Sequence, residues 1–316
     1  MKEAITYGGL TALPGTKKSG WAPVLDTEKT MPLTVINGAG KGRTALVTAG
    51  IHGGEYPCIE CAIRLAREID PAEVSGQIVI FHPVNYDAFI QRRAYIVPED
   101  GKNLNRQFPP DPNGTISQKM AHVLTEEYIK RADFHLDMHG GDIPESLPPY
   151  VYYAGVGNEA VVARAEAAAA VVHANFVVRS SATTGMYNYS TIIGTPSILV
   201  ELGGRGLWSE EEVKDYLRNA YNVLKHLDIL PGEPDAPKEK AYVIRKAEYI
   251  DATVNGCWYP LVGLEERVGQ GQLLGVVKDV FGNVLEEVRA EYDAMILFKT
   301  VSLAIEKGEA IITYGI

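Results

Sequence analysis

The chain has 316 residues, of which 46% are hydrophobic and 22% charged, a composition typical of a globular protein with room for one large domain and a small one. Its formal net charge of −10 argues against nucleic acids and anionic membrane surfaces as partners, because binding to either requires a basic face. The sequence shows no signal-peptide pattern, no apolar stretch of membrane-spanning length and too few cysteines for a disulfide framework, so we expect a cytoplasmic protein.

Strand-like and helix-like segments alternate along the first two-thirds of the chain. Apolar runs of strand length predict strands at residues 32–37, 43–50, 77–84, 133–138 and 196–201. Helical spacing of apolar residues predicts helices at residues 59–69, 117–131, 158–173 and 209–227. The glycine-rich segment 38–42 predicts a hairpin turn between the first two strands. Apolar strands that alternate with helices predict an α/β fold whose sheet is mainly parallel and flanked by helices.

The pattern changes after residue 230. Proline, glycine and charged residues fill the segment 231–240, which predicts a linker. Short strands separated by turns follow it and predict a small all-β domain. We therefore expect an α/β domain at residues 1–230, a linker at 231–240 and a β domain at 241–316.

The motif His52-Gly-Gly-Glu55 lies between a predicted strand and a predicted helix. A histidine and a carboxylate three residues apart can bind one metal ion, although such a pair alone is common by chance. Ligands of open α/β sheets bind beyond the carboxyl ends of the strands. Two further clusters, His139-Gly-Gly-Asp142 and Glu201-Leu-Gly-Gly204, stand at such ends. The repetition favours one shared site over chance.

The simplest assignment makes His52, Glu55 and His139 the ligands of one zinc ion. Two imidazoles and one carboxylate leave a fourth position for water, which is the arrangement of a catalytic zinc site. The histidines could instead be ordinary crevice residues, and Glu55 could be a charge at a helix N-terminus. Asp142 repeats the offset of Glu55 from a histidine and leaves a second metal open. His135, on the same strand face as Asp137 and His139, is interpreted as a structural residue or as one that supports a ligand.

Several other side chains are candidates for roles around the metal. Asp137 is suited to orienting a ligand imidazole, and a buried hydrogen-bonding role is an equal alternative. Asn105 and Arg106 could bind a carboxylate, because an arginine fork beside an amide offers bidentate recognition. Tyr187, in a glycine- and aromatic-rich loop, is a candidate for substrate contact.

The adjacent arginines 92 and 93 could provide a cation for an oxyanion. Cys58 and Cys61 are interpreted as core residues, because two thiols are too few for a structural zinc site.

Four motifs occur in one order along residues 45 to 205: Gly50-Ile-His-Gly-Gly-Glu55, Gly101-Lys-Asn-Leu-Asn-Arg-Gln-Phe-Pro109, Asp137-Met-His139 and Val200-Glu-Leu-Gly203. In these motifs the chain resembles the succinylglutamate desuccinylase/aspartoacylase family of the zinc carboxypeptidase superfamily. The resemblance implies a zinc-carboxypeptidase-like fold and one Zn²⁺ ion per chain, bound by the three residues assigned above.

The resemblance also implies roles for further residues. Glu201 is expected to act as the general base and acid, and Asn105 with Arg106 as the clamp for a substrate carboxylate. Arg93 is favoured over its neighbour as the oxyanion cation. Many relatives have an aspartate where this chain has Asn103, so Asn103 is expected to orient a ligand imidazole as a neutral acceptor.

Residues 241–316 resemble the barrel-sandwich hybrid of biotinyl and lipoyl domains. Lys278 lies near the hairpin where such carriers are modified, but the carrier motif is missing, so we expect no modification. The β domain is instead expected to wall the active site and limit substrate length, or to make subunit contacts that allow a homo-oligomer.

The sequence thus predicts a zinc-dependent amidohydrolase that deacylates small N-acyl amino acids or related acylated amines. The expected partner is a small carboxylate-bearing substrate. A metallocarboxypeptidase acting on short peptides is the main alternative, and a non-catalytic metal- or ligand-binding protein is a further one.

Overall fold

A computed structural model describes residues 2–235, 237 and 239–316. Ala236 and Lys238, which belong to the predicted linker, lie outside the described residues. The strands up to residue 230 are β1 (Ile5–Tyr7), β2 (Leu10–Ala12), β3 (Thr16–Pro23), β4 (Thr30–Asn37), β5 (Gly40–Ala49), β6 (Ser75–Phe81), β7 (Ile96–Val97), β8 (Lys102–Asn103), β9 (Phe134–Met138), β10 (Glu145–Ala154), β11 (Phe176–Ser180) and β12 (Ser197–Gly204).

The α-helices of the described residues are α1 (Tyr56–Glu68), α2 (Tyr86–Gln91), α3 (Ile116–Val123), α4 (Glu159–Ala169), α5 (Met186–Ile192) and α6 (Glu210–His226). Helical turns continue beyond α3 to Arg131, as predicted. Ser209 caps α6 by accepting a hydrogen bond from the N–H of Glu212. Short helices α2 and α5 follow polar loops that the sequence patterns left unassigned.

The centre of the main sheet is parallel, in the order β12-β9-β5-β6. Antiparallel strands flank this centre, with β4 and β3 on one side and β10 on the other. The carboxyl ends of β5, β9 and β12 therefore lie at the same edge, which brings the segments after them together. Those segments carry the three clusters found in the sequence.

The predicted hairpin at residues 38–42 is wrong, because β6 lies between β4 and β5. After β4 the chain passes the start of β6 and then enters β5, which pairs with β6 in parallel. The glycines of this segment serve a close approach: a Cβ on Gly38 would lie 2.1 Å from the carbonyl oxygen of Val74. Glycine is required because the two backbones touch.

The two faces of the sheet bury separate hydrophobic clusters. Ala45 and Val47 of β5 pack with residues of α1, α4 and α6, whereas Leu46 packs with residues of α3 and α5. This alternation follows from the two-residue period of a strand. Cys58 and Cys61 are buried in the first cluster, which confirms their prediction as core residues.

The last part of the chain contains β13 (Tyr242–Ile244), β14 (Ala247–Asp251), β15 (Gly256–Pro260), β16 (Arg267–Val268), β17 (Leu273–Lys278), β18 (Val284–Arg289), β19 (Ala294–Thr300), β20 (Ala304–Ile305) and β21 (Ala310–Gly315). Strands β15, β17, β18 and β20 form a separate four-stranded sheet. By contrast, β19 pairs with β10 and β13 pairs with β11, so this region also extends the main sheet. Among the described residues no helix combines the length and apolar character needed to cross a membrane.

Candidate active site

The loop that carries His52 is held tightly between α2 and the segment after β9. A Cβ on Gly53 would lie 2.4 Å from the carbonyl carbon of Ala88, and one on Gly54 only 1.9 Å from a carboxylate oxygen of Asp142. The two glycines of the motif are therefore needed for close packing. Glu55 directly precedes the first turn of α1, so the loop presents both side chains from a fixed backbone.

His52, Glu55 and His139 come together as predicted, and all three are buried. Glu55 Oε1 lies 2.7 Å from His52 Nδ1 and 3.3 Å from His139 Nδ1. The candidate ligand atoms of the three residues lie within 4.8 Å of one another, which is close enough to surround one ion. Both imidazoles direct Nδ1 towards the carboxylate.

The outer nitrogens of both imidazoles face oxygen atoms, although among the described residues His139 Nε2 makes no contact with hydrogen-bond geometry. His52 Nε2 lies 3.1 Å from Asn103 Oδ1, and His139 Nε2 lies 3.3 Å from Asp137 Oδ2. The Asn103 oxygen also accepts the N–H of Asn105, which supports its assignment as an acceptor. A proton on each Nε2 leaves Nδ1 unprotonated and able to bind a metal.

A buried chain of hydrogen bonds continues from Asp137 into the sheet. The Thr48 hydroxyl lies 2.7 Å from Asp137 Oδ1 and 2.7 Å from His135 Nε2. His135 Nδ1 lies 2.9 Å from the hydroxyl of Ser190, on α5. Because Asp137 only accepts, Thr48 donates to it and must accept from His135 Nε2–H. The single hydroxyl proton of Ser190 is donated to the carbonyl oxygen of Met186 at 2.8 Å, so donor counting assigns a proton to His135 Nε2 and leaves Nδ1 facing the Ser190 oxygen.

Charges within the grouping favour a positive charge between its members. Burial alone would lower the pKa of His139, but Glu55 and Asp137 outweigh it and raise that pKa. Glu55 likewise raises the pKa of His52 against the effect of burial. The same attractions lower the pKa of Glu55, although burial opposes them. Glu55 therefore attracts positive charge, which a bound metal cation can supply in place of protons.

The residues fit a zinc ion. Glu55 Oε2 is buried and has no hydrogen-bond partner among the described residues, so a ligand atom is left unsatisfied. Two imidazole nitrogens and one carboxylate oxygen are donors that zinc accepts, and they leave an open position. His52, Glu55 and His139 would hold the ion.

A cavity of about 630 Å³ opens on this grouping. Its wall includes Asn105, Arg106, Tyr187 and Glu201, which the sequence analysis assigned to substrate binding and catalysis. The cavity wall thus carries the residues predicted for substrate binding and catalysis, except Arg93, the arginine predicted to stabilise an oxyanion. Its size suits a small molecule.

Glu201 lies on β12, opposite Tyr150 of β10. Burial, together with Glu55 and Glu145, raises the pKa of Glu201 to about 8, while His139 acts in the opposite direction. A carboxyl group with such a pKa exchanges protons near neutral pH, which suits general acid–base chemistry.

Asn105 and Arg106 lie where the loop after β8 meets α5. Asn105 is buried, and its side-chain oxygen accepts the N–H of Met186 at 2.8 Å, so it also anchors the start of α5. Arg106 is exposed on the cavity wall and makes no salt bridge within the described residues. Its guanidinium remains available to an anionic group.

Residues 41–227 match the family model described as the succinylglutamate desuccinylase/aspartoacylase catalytic domain. The chain belongs to this family. Over 317 aligned residues it is 27% identical to the N-alpha-acetyl-L-2,4-diaminobutyric acid deacetylase of Halomonas elongata, covering 98% of this chain and 91% of the relative. The family and this relative place the chain among hydrolases that remove acyl groups.

Solved structures agree with this membership. A succinylglutamate desuccinylase/aspartoacylase from Rhodobacter sphaeroides is 29% identical and superposes with a TM-score of 0.83 over 95% of each chain. The product-bound ectoine utilization protein EutE (DoeB) from Ruegeria pomeroyi is 26% identical, with a TM-score of 0.86 over 95% of each chain. The predicted mixed α/β architecture is therefore that of the desuccinylase/aspartoacylase family.

Arg93 of this desuccinylase/aspartoacylase family member lies outside the cavity wall. Its side chain is exposed at the end of α2 and does not line the cavity. Arg92, in the left-handed region at φ +53°, ends that helix and turns the chain away. Of the two arginines predicted to act on the substrate, Arg106 lies on the cavity wall. The role of Arg93 remains a prediction.

Sequence reasoning missed several residues of the cavity wall. Tyr95 and Glu145 line it near the metal grouping, and Tyr249 reaches it from β14 in the last part of the chain. Thr48 and His135 support the site from within the sheet. No spacing pattern marks Tyr95, Glu145, Tyr249 or Thr48. His135 is the exception, because its position on the same strand face as His139 predicts a structural or supporting role.

Proposed function

We propose that this protein is a zinc-dependent deacylase that hydrolyses the amide bond of small N-acyl amino acids or related acylated amines. The observation that carries the proposal is one cavity whose wall combines the grouping of His52, Glu55 and His139 with Glu201 and Arg106. Membership in the desuccinylase/aspartoacylase family supports the reaction class.

Each residue has a defined task in this proposal. When bound, zinc supplies a Lewis acid and brings the pKa of water towards about 7. Glu201 takes a proton from the attacking water and passes it to the leaving amine, as its pKa of about 8 allows. Asn105 and Arg106 hold a substrate carboxylate, and Tyr187 borders the same space. Asn103 and Asp137 keep the ligand imidazoles oriented.

The region 241–316 is proposed as a β domain that walls the active site, joined to the catalytic domain 1–230 by the linker 231–240. Tyr249 and Phe298 support this role, because both belong to its strands and line the cavity. The barrel-sandwich-hybrid likeness, the cytoplasmic location and a homo-oligomer remain predictions.

Metal analysis and an assay of N-acetyl and N-succinyl amino acids beside short peptides test the proposal. We expect about one zinc per chain and release of the free amino acid. In Glu201→Gln, turnover should fall by orders of magnitude while zinc stays bound. Efficient trimming of peptides without deacylation would show a carboxypeptidase, and metal binding without any turnover would show a binding protein.

A further inference from the structure

We propose that the cavity continues into an apolar subsite formed by Val178, Ile244, Leu297 and Phe298, so that the preferred substrate is an N-acyl amino acid with a long apolar side chain. The inference rests on the proposed function and specifies the amine part of its substrate. It concerns cavity residues to which neither metal binding nor proton transfer gives a task.

The register of four strands extends one sheet face from Glu201 to this subsite. Glu201 of β12 lies opposite Tyr150 of β10. Two residues further along β10, Tyr152 lies opposite Val178 of β11, which in turn lies opposite Ile244 of β13. Side chains that are paired across strands share a face, and neighbouring strands are about 4.8 Å apart. Ile244 is therefore three strands, or roughly 14 Å, from Glu201 across the sheet.

The far part of the cavity wall is hydrophobic. Val178 and Ile244 face Leu297 and Phe298 of β19, and all four side chains are buried and line the cavity. They belong to one hydrophobic cluster. A methylene group that moves from water against such a wall gains free energy in proportion to its buried area. The far wall therefore favours an apolar substituent.

Two tyrosine rings connect Glu201 with the apolar wall. The ring centres of Tyr150 and Tyr152 are 5.1 Å apart, with the rings edge to face. Burial raises the pKa of both hydroxyls, so both residues remain neutral. The Tyr152 hydroxyl also lies 2.9 Å from that of Tyr249, which satisfies the polar end of its ring. The passage therefore presents neutral aromatic surface to a substrate.

An acidic side chain is the competing occupant, because Arg179, Arg245 and Lys246 line the cavity as well and are exposed. Arg179 donates to the carbonyl oxygen of Gly155 at 3.4 Å, and Lys246 Nζ lies 4.1 Å from the ring centre of Tyr292. Gly155 and Tyr292 do not line the cavity, so both cations have contacts outside it. Arg245 is left as a competing cation, and a substrate with an acidic side chain tests its influence.

The decisive experiment measures kcat/KM for the Nα-acetyl derivatives of alanine, norvaline, norleucine and 2-aminooctanoate, whose side chains differ only in length. We expect kcat/KM to rise by up to about fourfold for each added methylene, the effect of burying one CH2 group. Nα-acetylglutamate should be a poorer substrate than Nα-acetylnorleucine. A flat or falling series, or a preference for Nα-acetylglutamate, overturns the inference. A gain that appears only on lengthening the acyl chain, as in N-hexanoylalanine, overturns the assignment to the amine part.

Val178→Phe fills the subsite and should abolish the advantage of the 2-aminooctanoate derivative while leaving turnover of Nα-acetylalanine unchanged. The control Val177→Phe places the same side chain on the opposite face of β11, against the cluster that contains α1, α4 and α6, and should keep the series intact. If Val178→Phe does not fold, Ile244→Phe fills the same space and carries the same expectation. A variant that folds and retains the advantage contradicts the subsite.

Binding measurements separate this inference from the proposed function. If none of the acetylated compounds is hydrolysed, the proposed function fails, and calorimetric titration with free 2-aminooctanoate and alanine still tests the subsite. We expect 2-aminooctanoate to bind more tightly than alanine, and Val178→Phe to remove the difference. Equal affinities for the two amino acids in the unchanged protein would rule the subsite out.

Discussion

Thr48 and Asp137 are paired residues on two parallel strands, and the Thr48 hydroxyl donates to the Asp137 carboxylate at 2.7 Å. Asp137 in turn lies 3.3 Å from the outer nitrogen of His139. The orientation of a candidate metal ligand therefore depends on a hydroxyl inside the sheet. In other proteins, loss of a hydrogen-bond partner that orients a metal ligand lowers the metal affinity roughly 10- to 100-fold.

Thr48→Val should weaken zinc binding by about 10- to 100-fold, because it keeps the shape of the side chain and removes the donor to Asp137. Competition with a chelator of known affinity measures the change. Thr48→Ser retains the hydroxyl and should restore binding. Equal affinity of the valine variant and the original protein would show that the chain of hydrogen bonds does not orient the ligand.

The stability of the metal-free protein should depend on His135 below pH 6.5. Burial lowers the pKa of His135 from 6.5 to about 4 in the folded protein. Between these values the unfolded chain binds a proton that the folded chain excludes, so the free energy of unfolding falls as pH falls. From pH 7 to pH 5 the loss is about 2 kcal/mol.

His135→Gln isolates this effect, since glutamine retains an N–H donor for Thr48 and does not titrate. Urea unfolding at both pH values measures it. The stability difference between the two proteins should shrink by about 2 kcal/mol at pH 5. A constant difference would mean that His135 has the same pKa in the folded and the unfolded chain.

Tyr216→Phe should destabilise the fold by about 1–3 kcal/mol, because a buried donor loses its partner. The Tyr216 hydroxyl accepts the N–H of Leu202 at 2.9 Å and donates to the carbonyl oxygen of His139. It thereby ties α6 to the ends of β9 and β12. Tyr221→Phe, on the same helix, removes a hydroxyl that has no side-chain hydrogen bond among the described residues and serves as the control. Similar losses in both variants, measured by urea unfolding, would contradict the assignment.

Arg106→Gln should raise KM at least about tenfold for an N-acyl amino acid, because a charge-assisted bond to the carboxylate is lost. Arg93→Gln should change kcat less than about twofold, because Arg93 is exposed and away from the cavity. Steady-state kinetics of both variants decide. A fall in kcat of about 100-fold or more for Arg93→Gln would restore its oxyanion role.

The sequence predicted the features that have a local pattern. The period of apolar residues located α6 and the central strands, and motifs at strand ends located His52, Glu55 and His139. The order of strands was less accessible: nothing in segment 38–42 indicates that β6 lies between its neighbours. Strand order depends on contacts between distant segments, which periodicity does not encode.

The cavity wall was the least predictable part of the molecule. Tyr95 lines the cavity from a loop in which its backbone is left-handed and its N–H is bound to Asp142. Tyr249 arrives from a strand far along the chain and meets Tyr152 hydroxyl to hydroxyl at 2.9 Å. Contacts of this kind depend on the tertiary fold, so no residue spacing in the sequence predicts them.

The pairing of Glu145 with Thr300 has a consequence for biosynthesis. The two residues are 300 − 145 = 155 positions apart, and their pairing joins β10 to β19. During translation this end of β10 keeps an unpaired edge until β19 has been synthesised. Unpaired strand edges make nascent chains prone to aggregation. The wall around Glu145 is therefore completed only when almost the whole polypeptide has left the ribosome, and a nascent chain that stops before β19 has an unfinished pocket.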